Sequence, residues 1–151
     1  MIRVYVDTSV FGGVFDKEFK DASLSFFSLS EARVFQIVIS AVVTKEIEAA
    51  PDEVKYFFQE QLLSVEIVKI TQEALSLRQA YLDSKILTEK SISDALHVAL
   101  ASVCRCSMII SWNFKHIVNF QKIPLYQAVN AVRGYPKIEI YSPLEVINYE
   151  I

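Results

Sequence analysis

From Ser91 to Val103 the chain reads SISDALHVALASV. Wound at about 100° per residue, this stretch sets Ile92, Ala95, Leu96, Ala99, Leu100 and Val103 on one side and Val98 and Ala101 on the other, with Asp94 its only charged residue. A helix apolar all round is buried between layers. The rest of the chain says which layers. Short β-branched and aromatic runs at Ile2–Val6, Val34–Ser40, Val65–Ile70, Cys106–Ser111 and Lys137–Tyr141 read as strands; Val65–Ile70 alternates and has a wetter face. Between them, helical patterning covers Ala22–Ala32, Ala41–Ala50, Asp52–Leu62, Gln72–Asp83, Ser91–Cys104 and Phe120–Arg133. Strand and helix alternate throughout, which implies βαβ crossovers. The expected architecture is an α/β sandwich, a parallel sheet of four to five strands flanked by helices on both faces.

With 151 residues, 52% hydrophobic, 22% charged and only three Gly, the chain is neither disordered nor of low complexity, and it fits a single domain over 1–151. No run of eighteen apolar residues occurs, and Arg3 and Asp7 interrupt the N-terminus where a signal peptide needs its apolar stretch. A cytoplasmic protein with no membrane partner is the expectation. Cys104 and Cys106 stand too close to staple a fold and are too few for structural zinc. The net charge of −3 conceals a division along the chain: residues 85–137 carry 7 basic and 2 acidic side chains, whereas 1–84 carry 8 and 13. Lys85, Lys90, Arg105, Lys115, Lys122, Arg133 and Lys137 therefore read either as a phosphate-facing surface or as an ordinary solvated one.

Three acids stand where acids are costly. VYVDTSV ends a buried strand on Asp7, a carboxylate that must be hydrogen-bonded, protonated or bound to a cation; it can also cap the turn that follows. On the Ala41–Ala50 helix, Glu46 falls within the face of Val42, Val43, Ile47 and Ala50, facing inward. It is either a functional acid or an edge-of-core one paired with Lys45 or Arg33. Asp94 follows Ser91 at capping-box spacing, and a cap and a ligand are compatible roles there. His97 reads as a hydrogen-bonded core residue and His116 as part of a basic loop rim, since neither has a second His beside it. Parallel sheets gather ligands at the carboxyl ends of their strands, where Asp7 and Asn113 fall. Acids converging there require positive charge, and oxygen ligands without Cys or paired His select Mg²⁺ or Mn²⁺. Such an ion activates water and neutralises phosphate, the requirement for phosphodiester hydrolysis.

The order and spacing of VYVDTSV, SAVVTKEI, SISDALHVALA and IISWNFKHI resemble the PIN-domain nucleases, in particular the VapC-like toxins of toxin–antitoxin pairs, over nearly the whole chain. The resemblance implies a PIN-like parallel sheet and an Mg²⁺- or Mn²⁺-dependent endoribonuclease hydrolysing RNA. It assigns Asp7, Glu46 and Asp94 to the first three acids and Ser9 and Ser111 to supporting hydroxyls. The fourth position, typically Asp, is Asn113, and Lys115 replaces a frequent further acid; less charge favours one metal over two. An antitoxin protein is the implied partner, and the apolar excess around Val54–Phe58 leaves room for an antitoxin groove or a homodimer face. The alternative is a PIN-fold binding module, weakened in turnover by Asn113 and acting in a protein or RNA complex. The stretch SWNFKHI either brings Trp112, Asn113 and Lys115 toward a phosphate or base, or forms a plain turn with Trp112 and Phe114 packed inward. A phosphorelay receiver is disfavoured, because the strands ending at Ser40 and Ser111 carry no phosphorylatable Asp.

Overall fold

The structure, a computed structural model, describes residues 1–148. Five strands form one parallel sheet: β1 (Ile2–Val6), β2 (Phe35–Ser40), β3 (Glu66–Val68), β4 (Met108–Ile110) and β5 (Glu139–Tyr141), in the order β3-β2-β1-β4-β5. All five expected strands are present, β1 with the expected bounds and the other four trimmed at their ends. The trimming before β4 has a local cause: Arg105 takes a left-handed conformation (φ 57°) and the Cys106 N–H returns to the Ala101 carbonyl, so the chain is still closing a helix where the sequence suggests extension. β3 is an edge strand with Glu66 and Ile67 exposed, and Glu66 pairs with Arg3.

The helices are α1 (Thr8–Gly13), α2 (Lys20–Glu31), α3 (Ala41–Ile47), α4 (Asp52–Gln61), α5 (Gln72–Asp83), α6 (Ile92–Val103), α7 (Ile123–Val132) and α8 (Pro143–Val146). Two of these, α1 and α8, were not among the helical stretches marked by periodicity, being only 6 and 4 residues long. The helix beginning at Ala41 stops at Ile47 rather than Ala50, since Pro51 disfavours helical backbone just before it. Side-chain oxygens set two of the starts: Ser40 accepts from the Val42 N–H and Thr71 from the Ala74 N–H.

Helices α1 to α4 pack among themselves and α8 against α2, while α5 packs with α6 and α7. This follows from strand order. The chain steps from β1 to β2 to β3 in one direction, then returns to the far side of β1 for β4 and β5, and right-handed crossovers in opposite directions place their helices on opposite faces. Helix α6 is buried continuously from Ala95 to Ser102, as its apolar circumference requires. Val4, Tyr5, Val6, Val38, Ile39, Ile109 and Ile110 are fully inaccessible at the centre of the sheet. Among the described residues, no helix is long and apolar enough to cross a membrane.

Strand order also fixes where a site can form. The reversal between β1 and β4 leaves a crevice at their carboxyl ends, the topological switch point of an open α/β sheet. Asp7 follows β1 and Ser111 follows β4, joined by the Asp7 N–H to the Ile110 carbonyl (3.3 Å).

Candidate metal-binding acidic site

Asp7 occupies the N-cap position of α1, yet its side chain makes no capping bond to that helix's backbone. Instead the Ser9 hydroxyl donates to Oδ1 (2.6 Å) and the Ser111 hydroxyl to Oδ2 (2.7 Å). Each serine is itself fixed from the β4 side, Ser9 Oγ by the Trp112 N–H (2.9 Å) and Ser111 Oγ by the Asn113 N–H (2.9 Å). Two short-range turns thus aim both hydroxyls at one carboxylate, and the capping alternative is not used. Burial pushes the Asp7 carboxyl above its ordinary value, with His97 and the two serines opposing the shift and Glu46 adding to it. A carboxylate offers about four acceptor positions, and the two hydroxyls use one on each oxygen.

Asp94 lies in the first turn of α6, half-buried, and the expected capping box is absent because Ser91 makes no side-chain cap. Burial raises its carboxyl too; the two histidines His116 and His97 and the Asn113 amide favour its charged form, while Glu46 opposes it. Asn113 is locked into place by the His116 N–H, which donates to its Oδ1 (2.9 Å). Its amide nitrogen is therefore the end turned toward Asp94. A continuous path runs from Asp7 through Ser111 and Asn113 to Asp94.

Glu46 departs from the inward position that helical spacing assigns it: its side chain keeps 38% of its accessible surface, and neither Lys45 nor Arg33 pairs with it. Helix α3 ends one residue later, so Glu46 leans over the rim of the sheet. Its Oε1 accepts from the Thr8 hydroxyl (2.9 Å) and from His97 Nε2 (2.7 Å). Burial acts to raise Glu46, but the His97 bond and charge and the Thr8 hydroxyl outweigh it and leave the group lowered.

His97 is a buried, hydrogen-bonded core residue, as its apolar helix suggests, but it also belongs to the site. Its Nδ1 meets the Tyr5 hydroxyl (2.8 Å), which meets Ser40 Oγ (2.8 Å), the oxygen that accepts the Val42 N–H (3.2 Å). With the imidazole neutral, the chain has one direction: Ser40 donates to Tyr5, Tyr5 to Nδ1, and Nε2–H to Glu46. Tyr5, Thr8 and Ser40 are participants that sequence reasoning missed. The available signal was Tyr5 itself, since a tyrosine in a buried strand needs a partner for its hydroxyl.

Trp112 is packed inward, stacked on Phe19 (centroids 4.2 Å, 20°) with its indole N–H donating to Ser23 Oγ (2.9 Å). His116 is half-buried rather than a simple rim residue, and its Nδ1 has no hydrogen-bond partner among the described residues.

Among the described residues, ion pairs link Arg3 to Glu66 and Lys137 to Glu139, and His97 hydrogen-bonds to Glu46; none brings a Lys or Arg to Asp7, Glu46 or Asp94. The three acids share the carboxyl edge of the sheet, but no group of three or more His, Cys, Asp or Glu among the described residues is arranged to hold a metal ion. The basic stretch divides as well. Lys115 and Lys122 lie between β4 and α7 and Lys85 and Lys90 between α5 and α6, at the acidic end; Arg105, Arg133 and Lys137 lie in the turns leading into β4 and β5, at the opposite end. A single phosphate-facing surface of all seven cations is therefore ruled out by topology.

No protein-family model and no curated protein matches the sequence. Solved structures do resemble the fold. A chain of VapBC2 from Rickettsia felis, bound to a DNA fragment from its promoter, aligns with TM-score 0.60 at 12% identity over 93% of this chain and 98% of its own. DNA-bound VapBC from Salmonella typhimurium gives 0.59 at 12% over 95% and 99%. FitAcB from Neisseria gonorrhoeae gives 0.58 at 11% over 93% and 98%. FitAB bound to an IR36 DNA fragment gives 0.61 at 11% over 98% of each chain, and the five-stranded parallel sheet with its flanking helices, reached above from strand order, is the fold in which this chain resembles them.

Proposed function

We propose that the protein is an Mg²⁺- or Mn²⁺-dependent endoribonuclease of PIN-domain type, the toxin of a toxin–antitoxin pair. The observation carrying this reading is Asp7: a buried carboxylate at the switch point of the sheet, oriented by two hydroxyls and paired with no Lys or Arg among the described residues. A structural acid so deeply placed is ordinarily paired. Likeness to the VapBC and FitAB complexes supports an antitoxin as partner, and RNA as substrate rests on the motif resemblance.

The donor chemistry of the acids fits a hard divalent cation, because Asp7, Asp94 and Glu46 offer only oxygen. Asp7 and Asp94 would hold it, while Glu46, engaged by His97 and Thr8, stands beside rather than inside the shell. When bound, the ion supplies charge neutralisation at the scissile phosphate and acidifies water. The chain's own residues do the rest. Ser9 and Ser111 hold the Asp7 carboxylate against rotation, Asn113 orients Asp94, and Glu46 accepts a hydrogen bond from the attacking water. Lys90, Lys115 and Lys122 hold flanking phosphates.

The test is incubation of purified protein with RNA and Mg²⁺ or Mn²⁺, with and without chelator, beside Asp7→Asn and Asp94→Asn. Cleavage that chelator abolishes and both variants lack is expected; cleavage unchanged in the variants overturns the assignment. One feature favours a second reading, a binding module weakened in turnover: the three acids do not close into one shell. RNA binding without chelator-sensitive cleavage in the parent protein selects it.

A further inference from the structure

The turn after β4 treats its two aromatic residues oppositely. Trp112 is buried, but Phe114 keeps 48% of its surface exposed. Between them stands Asn113, the residue tied to Asp94, and after them Lys115, exposed and without an ion pair among the described residues. The Phe114 ring is not loose. It rests against Trp112 (centroids 6.0 Å, 65°) and Phe19 (6.3 Å, 53°), and Trp112 and Phe19 are stacked on each other. Behind them Gly13 gives the indole room, for a Cβ there would lie 2.7 Å from Nε1. The Asn119 amide donates to the Phe114 carbonyl (3.3 Å), and the Ile117 and Val118 N–H groups both return to the Asn113 carbonyl. The outcome is a backed aromatic face, one residue from the acidic site and beside the exposed Lys115.

Such an exposed, immobilised ring is what unpaired nucleobases stack on, and an adjacent lysine meets the phosphate that accompanies the base. A duplex keeps its bases stacked on one another and offers no face to it. We propose that Phe114, with Lys115, forms a stacking platform for an unpaired base next to the scissile phosphate. This rests on the nuclease reading for the site it adjoins, but its binding test is separate from turnover.

Binding is measured on full-length Asp7→Asn protein with Mg²⁺, using a labelled ten-nucleotide mixed-sequence RNA, single-stranded or annealed to its complement. Phe114→Ala added to this background should weaken single-strand affinity roughly tenfold, the scale of one lost base stack, and Phe114→Tyr should restore it. Duplex binding should not change. In protein with Asp7 intact, Phe114→Ala should raise KM by a similar factor with kcat much less affected. Melting curves verify that the exposed substitution leaves the fold intact. Single-strand affinity within twofold of the parent in Phe114→Ala, failure of Tyr to restore it, or no single-strand binding by the parent overturns the platform. Phe114-dependent binding without chelator-sensitive cleavage leaves the platform standing and removes the nuclease instead.

Discussion

Asp7 is a residue that folding tolerates rather than favours. Its carboxyl is raised by burial, so the stability it contributes is present below the ordinary carboxylate value and is lost as pH rises through the raised one. At neutral pH burying this carboxyl therefore opposes folding. Asp7→Asn should stabilise the protein at pH 7 by on the order of 1 kcal/mol, about 2–4 °C in Tm for a chain of this size, and the gain should vanish in acid below about pH 4. Thermal melts at the two pH values check this; a loss of stability at pH 7 would contradict it. Glu46 has the opposite sign, since its lowered value gives stability present above the ordinary carboxylate value and lost as pH falls through the lowered one. Two adjacent glycines make a second contrast. A methyl group at Gly13 would sit 2.6 Å from Ser23 Oγ and 2.7 Å from the indole, whereas nothing lies within 4 Å at Gly12. Gly13→Ala should cost about 1–3 kcal/mol by overpacking, and Gly12→Ala, within α1, should be neutral or gain up to about 1 kcal/mol. Denaturant titrations of the pair give the comparison directly.

At the scale of elements, four helices end in the same way. After α2, α5, α6 and α7 the chain enters the left-handed region at Arg33, Lys85, Arg105 and Gly134. In each case the next N–H reaches back to a carbonyl in the last turn, at Leu29, Tyr81, Ala101 and Asn130. This is the Schellman closure, which glycine adopts most easily. Three of the four positions carry a cation instead, well placed for the negative end of the helix but strained in its backbone. Arg105→Gly should raise stability by about 0.5–1 kcal/mol, because relief of strain outweighs an exposed charge–dipole contact. At the other end of a helix, Ser40 caps α3 and holds the Tyr5 hydroxyl. Ser40→Ala should cost about 1–3 kcal/mol, as it leaves two buried polar groups short of a partner. The same change should loosen His97 and through it Glu46. A fall in kcat larger than that of Thr71→Ala, a cap of α5 away from the site, would separate this effect from general destabilisation.

For the whole molecule, the proposed metal binding at the acidic edge predicts a stability that depends on divalent ions. Mg²⁺ in the millimolar range should raise Tm of the parent protein, by binding the native state alone, and should have little effect on Asp7→Asn. Equal shifts in both proteins would deny Asp7 a part in binding. The layered α/β fold could be read directly from the chain, because hydrophobic period is a local property: Ser91–Val103 declares a buried helix and Ile2–Val6 a buried strand whatever surrounds them. Asp7 and Asp94 could be singled out for the same reason, since each violates the pattern of its own segment, whereas the inward position that spacing assigns Glu46 is not the one it takes. What each acid touches was a different matter. Hydrogen-bond partners such as Ser111 for Asp7, 104 residues away, or His97 for Glu46, 51 away, depend on strand order and on where each helix stops. The division of the basic stretch between two ends of the sheet and the exposure of Phe114 beside a buried Trp112 depend on them equally. Sequence alone determined which segments must be buried and which acids were out of place; only the tertiary structure decided who neighbours whom, because contacts between distant segments are set by global packing.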